Sequence, residues 1–576
     1  MKRLLKHAVI KKTLIFFSVG MILGFLRGII EAALLIRHYP LSMSGSCKAE
    51  LYISCGILYG IVLAISGTIL LSLISICSSK FSRIYYPLGY LIIIICLDTL
   101  GWRSASVDDW RRSLSATSTV SDKANCLLIS IDTCRVDRLP MYGNYEGNTP
   151  FLSALSRRGC LSSQTVTSIP VTTPAHVSLF TGLVPPKHGS RFNAVPVEAS
   201  HITLPQKLTD EGYYTGGFIS AFPLTADVSG LHSGFSYYDQ LLTPRYLHPL
   251  IYRTSVLRIF SGIGALRPAE RSGWRTVESA VNWWRNQSGK PVFTFVHLYD
   301  PHAPYEPETL YYRMSGRSDK QTEISVYDIV RFNEGKPPSK AILDSALAAY
   351  DGEIASVDRM IEKLLRSYDA LGLMDDSLVI VTGDHGESLG EHNYYFSHGD
   401  HLYDASLRIP FITVLPHKVP ERSVLTEQIT ICDIMPTILG LLNTASIETS
   451  LDGRDLSEFI MGQSHFTKTW AYGETGAGIY TQAHIPPDSN IRKKMRSLRT
   501  PHEKVILNTQ GNHIYYNLDE DPGENNPIHN DNSLKSTELS RMLEQYIRKV
   551  DPPNRHPPRL PELDTLEQLH SLGYIN

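Results

Sequence analysis

Two carboxylates and an imidazole close apolar runs that are far apart in the sequence. Asp132 ends NCLLISID (125–132), and Asp384 and His385 follow the run that begins SLVIVTG at 377. An acid after a strand is often only a turn or cap residue. Here GDHGESLGEH (383–392) packs acids, histidines and glycines together directly after an apolar strand. Two carboxylates and one imidazole suit a divalent ion of mixed oxygen and nitrogen preference, Mn²⁺ or Zn²⁺, with Ca²⁺ as the all-oxygen alternative. A third element, VTTPAHVSLFTG (171–182), sets two threonines before a proline at the start of a helical pattern. Thr172 or Thr173 could cap that helix, with Pro174 at its first helical position. The same geometry places a hydroxyl in the positive field of a helix N-terminus. That field favours both an alkoxide and an anionic substrate. Beside a metal, such a hydroxyl can attack phosphorus or sulfur.

These residues need elements that bring them together. Apolar runs recur as GYYTGGFIS, PVFTFVHLYD and PFITVLP, separated by helical patterns at 149–159 and 340–370. Strands alternating with helices imply an α/β fold with a mixed, mostly parallel sheet between helices. Ligands in such folds bind at the carboxyl ends of the strands, which is where Asp132, Asp300, His302, Asp384 and His385 fall. From about residue 467 the pattern reads as a small C-terminal strand subdomain, with a last helix near 536–550. Segments 226–275 and 303–340 carry no clear element and are long enough to shape a pocket.

The first hundred residues are of another kind. Three apolar runs, 13–36, 51–77 and 85–102, are each near the ~20 residues that a spanning helix needs. They share no polar face, which sets them apart from buried helices of a soluble domain. Lys2, Arg3, Lys6, Lys11 and Lys12 precede the first run, and Lys80 and Arg83 lie between the second and third. The positive-inside rule then places the rest of the chain on the outer, periplasmic side of the cell membrane. The expected organisation is a three-helix membrane anchor over 1–102, a linker over 103–123, a catalytic domain over 124–466 and its C-terminal subdomain over 467–576. A net charge of −2 over 576 residues argues against a nucleic-acid partner. Eight cysteines without CxxC spacing give no zinc knuckle or disulfide framework. The segment 245–263 mixes apolar and basic residues, as a membrane-surface helix or a packed one would.

The stretch from ISIDTCRVDRLPMYG through TTPAHVSLFTGLVPPKHG resembles the sulfatase family of the alkaline phosphatase superfamily. HLYDPHAPY, VTGDHGESLGEH, HGDHLYDASLRIPFI, YYNLDEDPGE and the terminal LEQLHSLGYIN continue the likeness in order across 124–576. Sulfatases proper carry Cys or Ser in C/S-x-P-x-R, which is converted to formylglycine. Aligned on the proline, that position is Thr172, and the arginine becomes His176. Threonine cannot give formylglycine by that route. The family's paired aspartates after the first strand become Asp132 and Thr133, and its Lys-x-His falls on Ser220 and Phe222. The pattern that remains is similar to membrane-anchored phosphoethanolamine transferases and lipoteichoic acid synthases, which use a threonine nucleophile on a metal.

This resemblance implies Asp132, Thr172, Asp384 and His385 at the metal. It implies His302 and His398 flanking the substrate and His176 orienting the nucleophile. His188, His392 and His401 are further candidates. The implied activity is hydrolysis or transfer at a phosphate or sulfate ester. The tether points to a lipid head group or an envelope glycan as substrate. The alternative is a non-catalytic relic of the fold that binds an anion or glycan.

Overall fold

The computed structural model describes residues 123–144, 147–242, 270–287, 291–316, 321–444, 450–464, 470–475, 494–529 and 534–551, with isolated positions between 21 and 61 and at 109–111. Nearly all of the three apolar runs, and all of 245–263, lie outside the described residues. Among the described residues no helix is long and apolar enough to cross a membrane. The chain divides into two compact units, one of residues 1–110 and 241–269 and the other of 111–240 and 270–576. The second unit contains the apolar runs that end in Asp132 and Asp384.

Its strands are those runs. β1 (Asn125–Ile131), β5 (Val292–Leu298) and β6 (Ser377–Gly383) are buried at nearly every position. Continuous burial is what a parallel sheet covered on both faces requires. With β2 (Cys160–Ser162), β3 (Tyr214–Phe218), β4 (Tyr237–Asp239), β7 (Phe411–Val414) and β8 (Ser423–Leu425), the order is β4-β3-β5-β1-β6-β7-β2-β8. Pairing is parallel from β4 to β6 and antiparallel on both sides of β7. The expected mixed, mostly parallel sheet is present.

Alternation along the strands sorts their side chains between two helical layers. Leu127, Ile129, Val296, Leu298, Val379 and Val381 share a core with α2 (Gly273–Trp284) and α3 (Lys340–Ala370). On the opposite face Phe295 meets Phe180 of α1 (Thr172–Thr181), with ring centroids 4.9 Å apart. α3 has the span expected from the sequence, and the Ser339 hydroxyl accepts from the Ile342 amide to cap it. The two segments without clear elements contain short helices at Ala226–Ser229, Thr309–Met314 and Val326–Asn333, and the strand β4.

The C-terminal subdomain is an antiparallel sheet of β9 (Ala471–Glu474), β10 (Arg496–Arg499), β11 (Glu503–Leu507), β12 (His513–Asn517) and β13 (Ile528–His529) in sequence order. It is followed by α4 (Leu534–Val550). A buried ion cluster ties it to the short helix Asp404–Leu407 that precedes β7. Asp404 accepts from Arg499 at 2.8 Å and from Lys504 at 2.6 Å, and Lys504 also reaches Glu524 at 2.7 Å. Although burial alone would raise it, the two cations hold the Asp404 carboxyl far below the usual range. Asp404→Ala leaves two buried cations sharing fewer anions, and should lower unfolding free energy by about 3 kcal/mol in a urea titration.

Candidate active site

Register builds the centre of the site. In the parallel pair β1–β6, Ile131 lies opposite Gly383. The next residues, Asp132 and Asp384, therefore leave the sheet side by side, both with no exposed surface. Asp384 Oδ1 accepts from the amides of Thr133 at 3.3 Å and His385 at 2.7 Å. Asp384 Oδ2 and both oxygens of Asp132 have no hydrogen-bond partner in the protein. Burial pushes the Asp132 carboxyl up. Burial followed by repulsion from Asp132 pushes Asp384 well up.

The turn after β1 is held under strain. Thr133 has φ of 51°, the left-handed region that a β-branched residue rarely enters. Tyr350 of α3 holds it there. Its hydroxyl donates to Thr133 O at 2.8 Å and accepts from the Arg135 amide at 3.0 Å.

His385 is oriented by its own chain. Its Nδ1–H donates to Gly386 O at 2.9 Å, which leaves the Nε2 lone pair for the site. Nε2 lies 3.5 Å from Asp384 Oδ2, 3.8 Å from Asp132 Oδ1 and 3.4 Å from Thr172 Oγ1. Burial keeps the ring neutral. Donors about 2.1 Å from one tetrahedral ion stand about 3.4 Å from each other, and these separations match that spacing. Orphaned buried oxygens, a free imidazole lone pair and this spacing fit one divalent cation, which Asp132, Asp384 and His385, with Thr172 beside them, could hold.

Neither threonine caps α1. Val171 is the N-cap, and Thr172 is the first helical residue rather than Pro174. Thr173 is occupied elsewhere, donating its hydroxyl to Pro223 O at 2.8 Å while its amide donates to Asn193 at 2.9 Å. Thr172 alone presents its hydroxyl to His385. His176, one turn on, spends both ring nitrogens elsewhere than on that hydroxyl. Its Nδ1–H donates to Thr172 O at 2.8 Å and its Nε2 accepts from the Ser130 hydroxyl at 2.9 Å. It ties α1 to β1 through the backbone, and burial and then His297 push its pKa down to about 3.

The remaining candidates separate. His302 and His398 stand together, ring centroids 5.0 Å apart, and the His398 ring is 4.3 Å from that of His385. Tyr299 and the Ala303 carbonyl hold His302 Nδ1 at 2.8 and 2.6 Å. Glu387 holds His398 Nδ1 at 3.2 Å and accepts a short hydrogen bond from Tyr305. His188 is locked to Ser178 at 3.0 Å, below the site. His392 stacks on Tyr403 at 3.7 Å, and His401 packs against Tyr394 at 4.7 Å. Asp300 accepts from the Gly273 amide at the start of α2, at 3.0 Å.

Sequence reasoning passed over Glu387, Tyr305 and His297. His297 had a signal, being an ionisable residue inside a strand buried at all its positions. Glu387 had one too, in the same acid-rich turn as Asp384 and His385.

Residues 124–444 match the family described as sulfatase, and residues 390–551 match the C-terminal region of N-sulphoglucosamine sulphohydrolase. The chain belongs to the sulfatase family. Sulfatase-family enzymes are metal-dependent ester hydrolases, and the cluster around Asp132 and Asp384 is where this chain could hold such an ion. An arylsulfatase of Clostridium perfringens is 25% identical over 472 residues, covering 74% of this chain and 93% of the relative. A multifunctional alkaline phosphatase superfamily protein, PehA of Trinickia caryophylli, is 25% identical over 415 residues, covering 59% and 77%. Among solved structures, BT4656 in complex with its substrate D-glucosamine-2-N,6-O-disulfate superposes with a TM-score of 0.60 at 17% identity, covering 75% of this chain and 99% of that one. The phosphonate monoester hydrolase of Agrobacterium radiobacter gives 0.57 at 21% identity, covering 78% and 96%. These structures share the α/β fold and its C-terminal strand subdomain.

The raised carboxyls carry a pH signature. Without a metal, folded Asp132 and Asp384 keep protons that the unfolded chain releases above its ordinary value of 3.8. Their contribution to the stability of the metal-free protein therefore falls as pH rises from about 4 through their folded pKa values. A bound cation removes that loss. Chelation should lower the unfolding temperature more at about pH 7.5 than at about pH 5, measured by calorimetry with and without chelator.

Proposed function

We propose that this chain is a membrane-tethered hydrolase of phosphate or sulfate esters that works through a Thr172 nucleophile. The observation that carries this reading is the Thr172 hydroxyl, 3.4 Å from His385 Nε2 at the N-terminus of a fully buried helix. A bound divalent cation would lower the pKa of that hydroxyl and neutralise charge on the ester. The helix field adds to the stabilisation of an alkoxide. Thr172 Oγ, its proton given up to solvent as the hydroxyl ionises, attacks the phosphorus or sulfur, and the bond to the leaving alcohol breaks in line. His398, oriented by Glu387, gives the leaving oxygen its proton, and His302, whose Nδ1–H is spent on Ala303 O, packs beside it and shapes the substrate side of the site. Water then cleaves the Thr172 ester; an acceptor alcohol in its place would make the enzyme a transferase.

Phosphorus ranks above sulfur because threonine at this position is not convertible to formylglycine. The likeness to phosphoethanolamine transferases and lipoteichoic acid synthases supports the same choice. Sulfated glycan substrates, such as the one bound by BT4656, are the second class. Three apolar runs support the tether. So do the few described positions within them. Ile22, Leu26 and Ile30 are helical, four residues apart, and 61%, 54% and 56% exposed, an apolar stripe suited to lipid. A lipid head group or an envelope glycan on the outer side is then the nearest substrate.

Full-length protein with Mn²⁺ and a panel of aryl phosphodiesters, aryl phosphate monoesters and aryl sulfates tests this reading. Phenol release should be lost by roughly a thousandfold or more in Thr172→Ala, and intact-mass measurement should find an adduct on Thr172. An undiminished rate in Thr172→Ala would overturn the nucleophile. His398→Asn should lower turnover by about 10²–10⁴-fold, with the smallest loss on the substrates whose phenol leaves most easily.

A further inference from the structure

His297 has no part in the proposed chemistry, yet its placement is specific. It is the one ionisable residue of β5 and has no exposed surface. It lies opposite Ser130, one step before the strand end, on the face turned toward α1. The Ser220 hydroxyl donates to His297 O at 2.6 Å, so its oxygen accepts from His297 Nδ1–H, 3.2 Å away. The Nε2 lone pair is thereby left free. Nε2 has no hydrogen-bond partner and lies 3.4 Å from Asp132 Oδ2, itself without one. Two lone pairs at that distance repel unless a proton or a cation stands between them.

The separation falls within the roughly 3.0–3.6 Å at which neighbouring donors stand around one five-coordinate ion. Ligand atoms of His297, His176 and Asp384 also lie within 4.8 Å of one another. His176 is excluded as a ligand because both its nitrogens are engaged, by Thr172 O and Ser130.

We infer that His297 Nε2 is a further donor to the cation held by Asp132, Thr172, Asp384 and His385. The centre then carries two imidazoles and two carboxylates, a set that selects Mn²⁺ or Zn²⁺ over Ca²⁺. Ser220 acquires a role as well, fixing the tautomer that frees Nε2. The inference rests on the reading of this cluster as a metal centre. The competing arrangement has Nε2 protonated and donating to Asp132, which would orient that ligand without touching the ion.

Metal affinity alone does not separate the two, since losing an orienting partner already costs about 10–100-fold. The number of imidazoles on the ion does. Electron spin echo modulation of the full-length protein loaded with Mn²⁺ counts directly coordinated imidazole nitrogens. Two are expected in the unaltered protein and one each in His297→Gln and His385→Gln. A single imidazole in the unaltered protein overturns the inference and leaves the nucleophile reading intact, whether or not the variants fold. No bound Mn²⁺ or Zn²⁺ in the unaltered protein overturns both.

Discussion

The parallel register of β1 and β6 sets the problem that the rest of the site solves. By pairing Ile131 with Gly383 it delivers two carboxylates into one dry space. Breaking such a cluster's charge balance costs several kcal/mol, because a buried anion without a partner keeps none of its hydration. Asp384 recovers part of this from two backbone amides through one oxygen. Asp132 recovers none through hydrogen bonds within the protein. A divalent ion is the compensation that also does chemistry, and the neighbouring groups are arranged as if for one. His385 and His297 spend Nδ1–H on Gly386 O and Ser220, so their Nε2 lone pairs face inward.

The second constraint is precision, and α3 supplies it. A turn that carries a β-branched residue at positive φ would relax if left to itself. Such strain persists only where surrounding structure over-determines it, at a cost of order 1–3 kcal/mol. Tyr350 is buried about a third of the way along a helix of 31 residues and grips the turn from both sides. Arg135 extends the grip, donating to Glu387 O at 3.0 Å while its head pairs with Asp137 and Glu391. The turn that follows β1 and the turn that follows β6 are thus one rigid unit. The main-sheet core therefore determines the spacing of donors at its edge.

The sequence made the donors legible where chemistry and position agreed. Asp132, Asp384 and His385 each end an apolar run, and an α/β fold puts run ends at its ligand site. Thr172 was harder, because a threonine before a helical proline is also a good cap. Only the folded chain shows that Val171 holds the cap position and that Thr173 is spent on Pro223. His297 and Glu387 stayed hidden for opposite reasons. His297 sits inside a strand, and whether a buried strand histidine faces a core or a site depends on the neighbouring strand's register. Glu387 faces Tyr305 and His398 through loops whose paths no periodicity encodes. The order and parallel sense of the central strands were implied by alternation with helices. The antiparallel insertion of β7 was not, since its four residues carry no direction.

Charge ties these observations to the choice of ester. The sulfatase pattern carries an arginine and a lysine at the positions that here are His176 and Ser220. His176 is buried and neutral, and Ser220 is bound to His297. Two fixed cations of the family pattern are thus replaced by groups that steady donors instead. A site built this way would draw its positive charge from a bound cation and the N-terminus of α1. It has less fixed charge to offer a dianion, whose second negative charge would have to be met elsewhere. Monoanionic esters, a phosphodiester or a phosphonate or sulfate monoester, make the smaller demand.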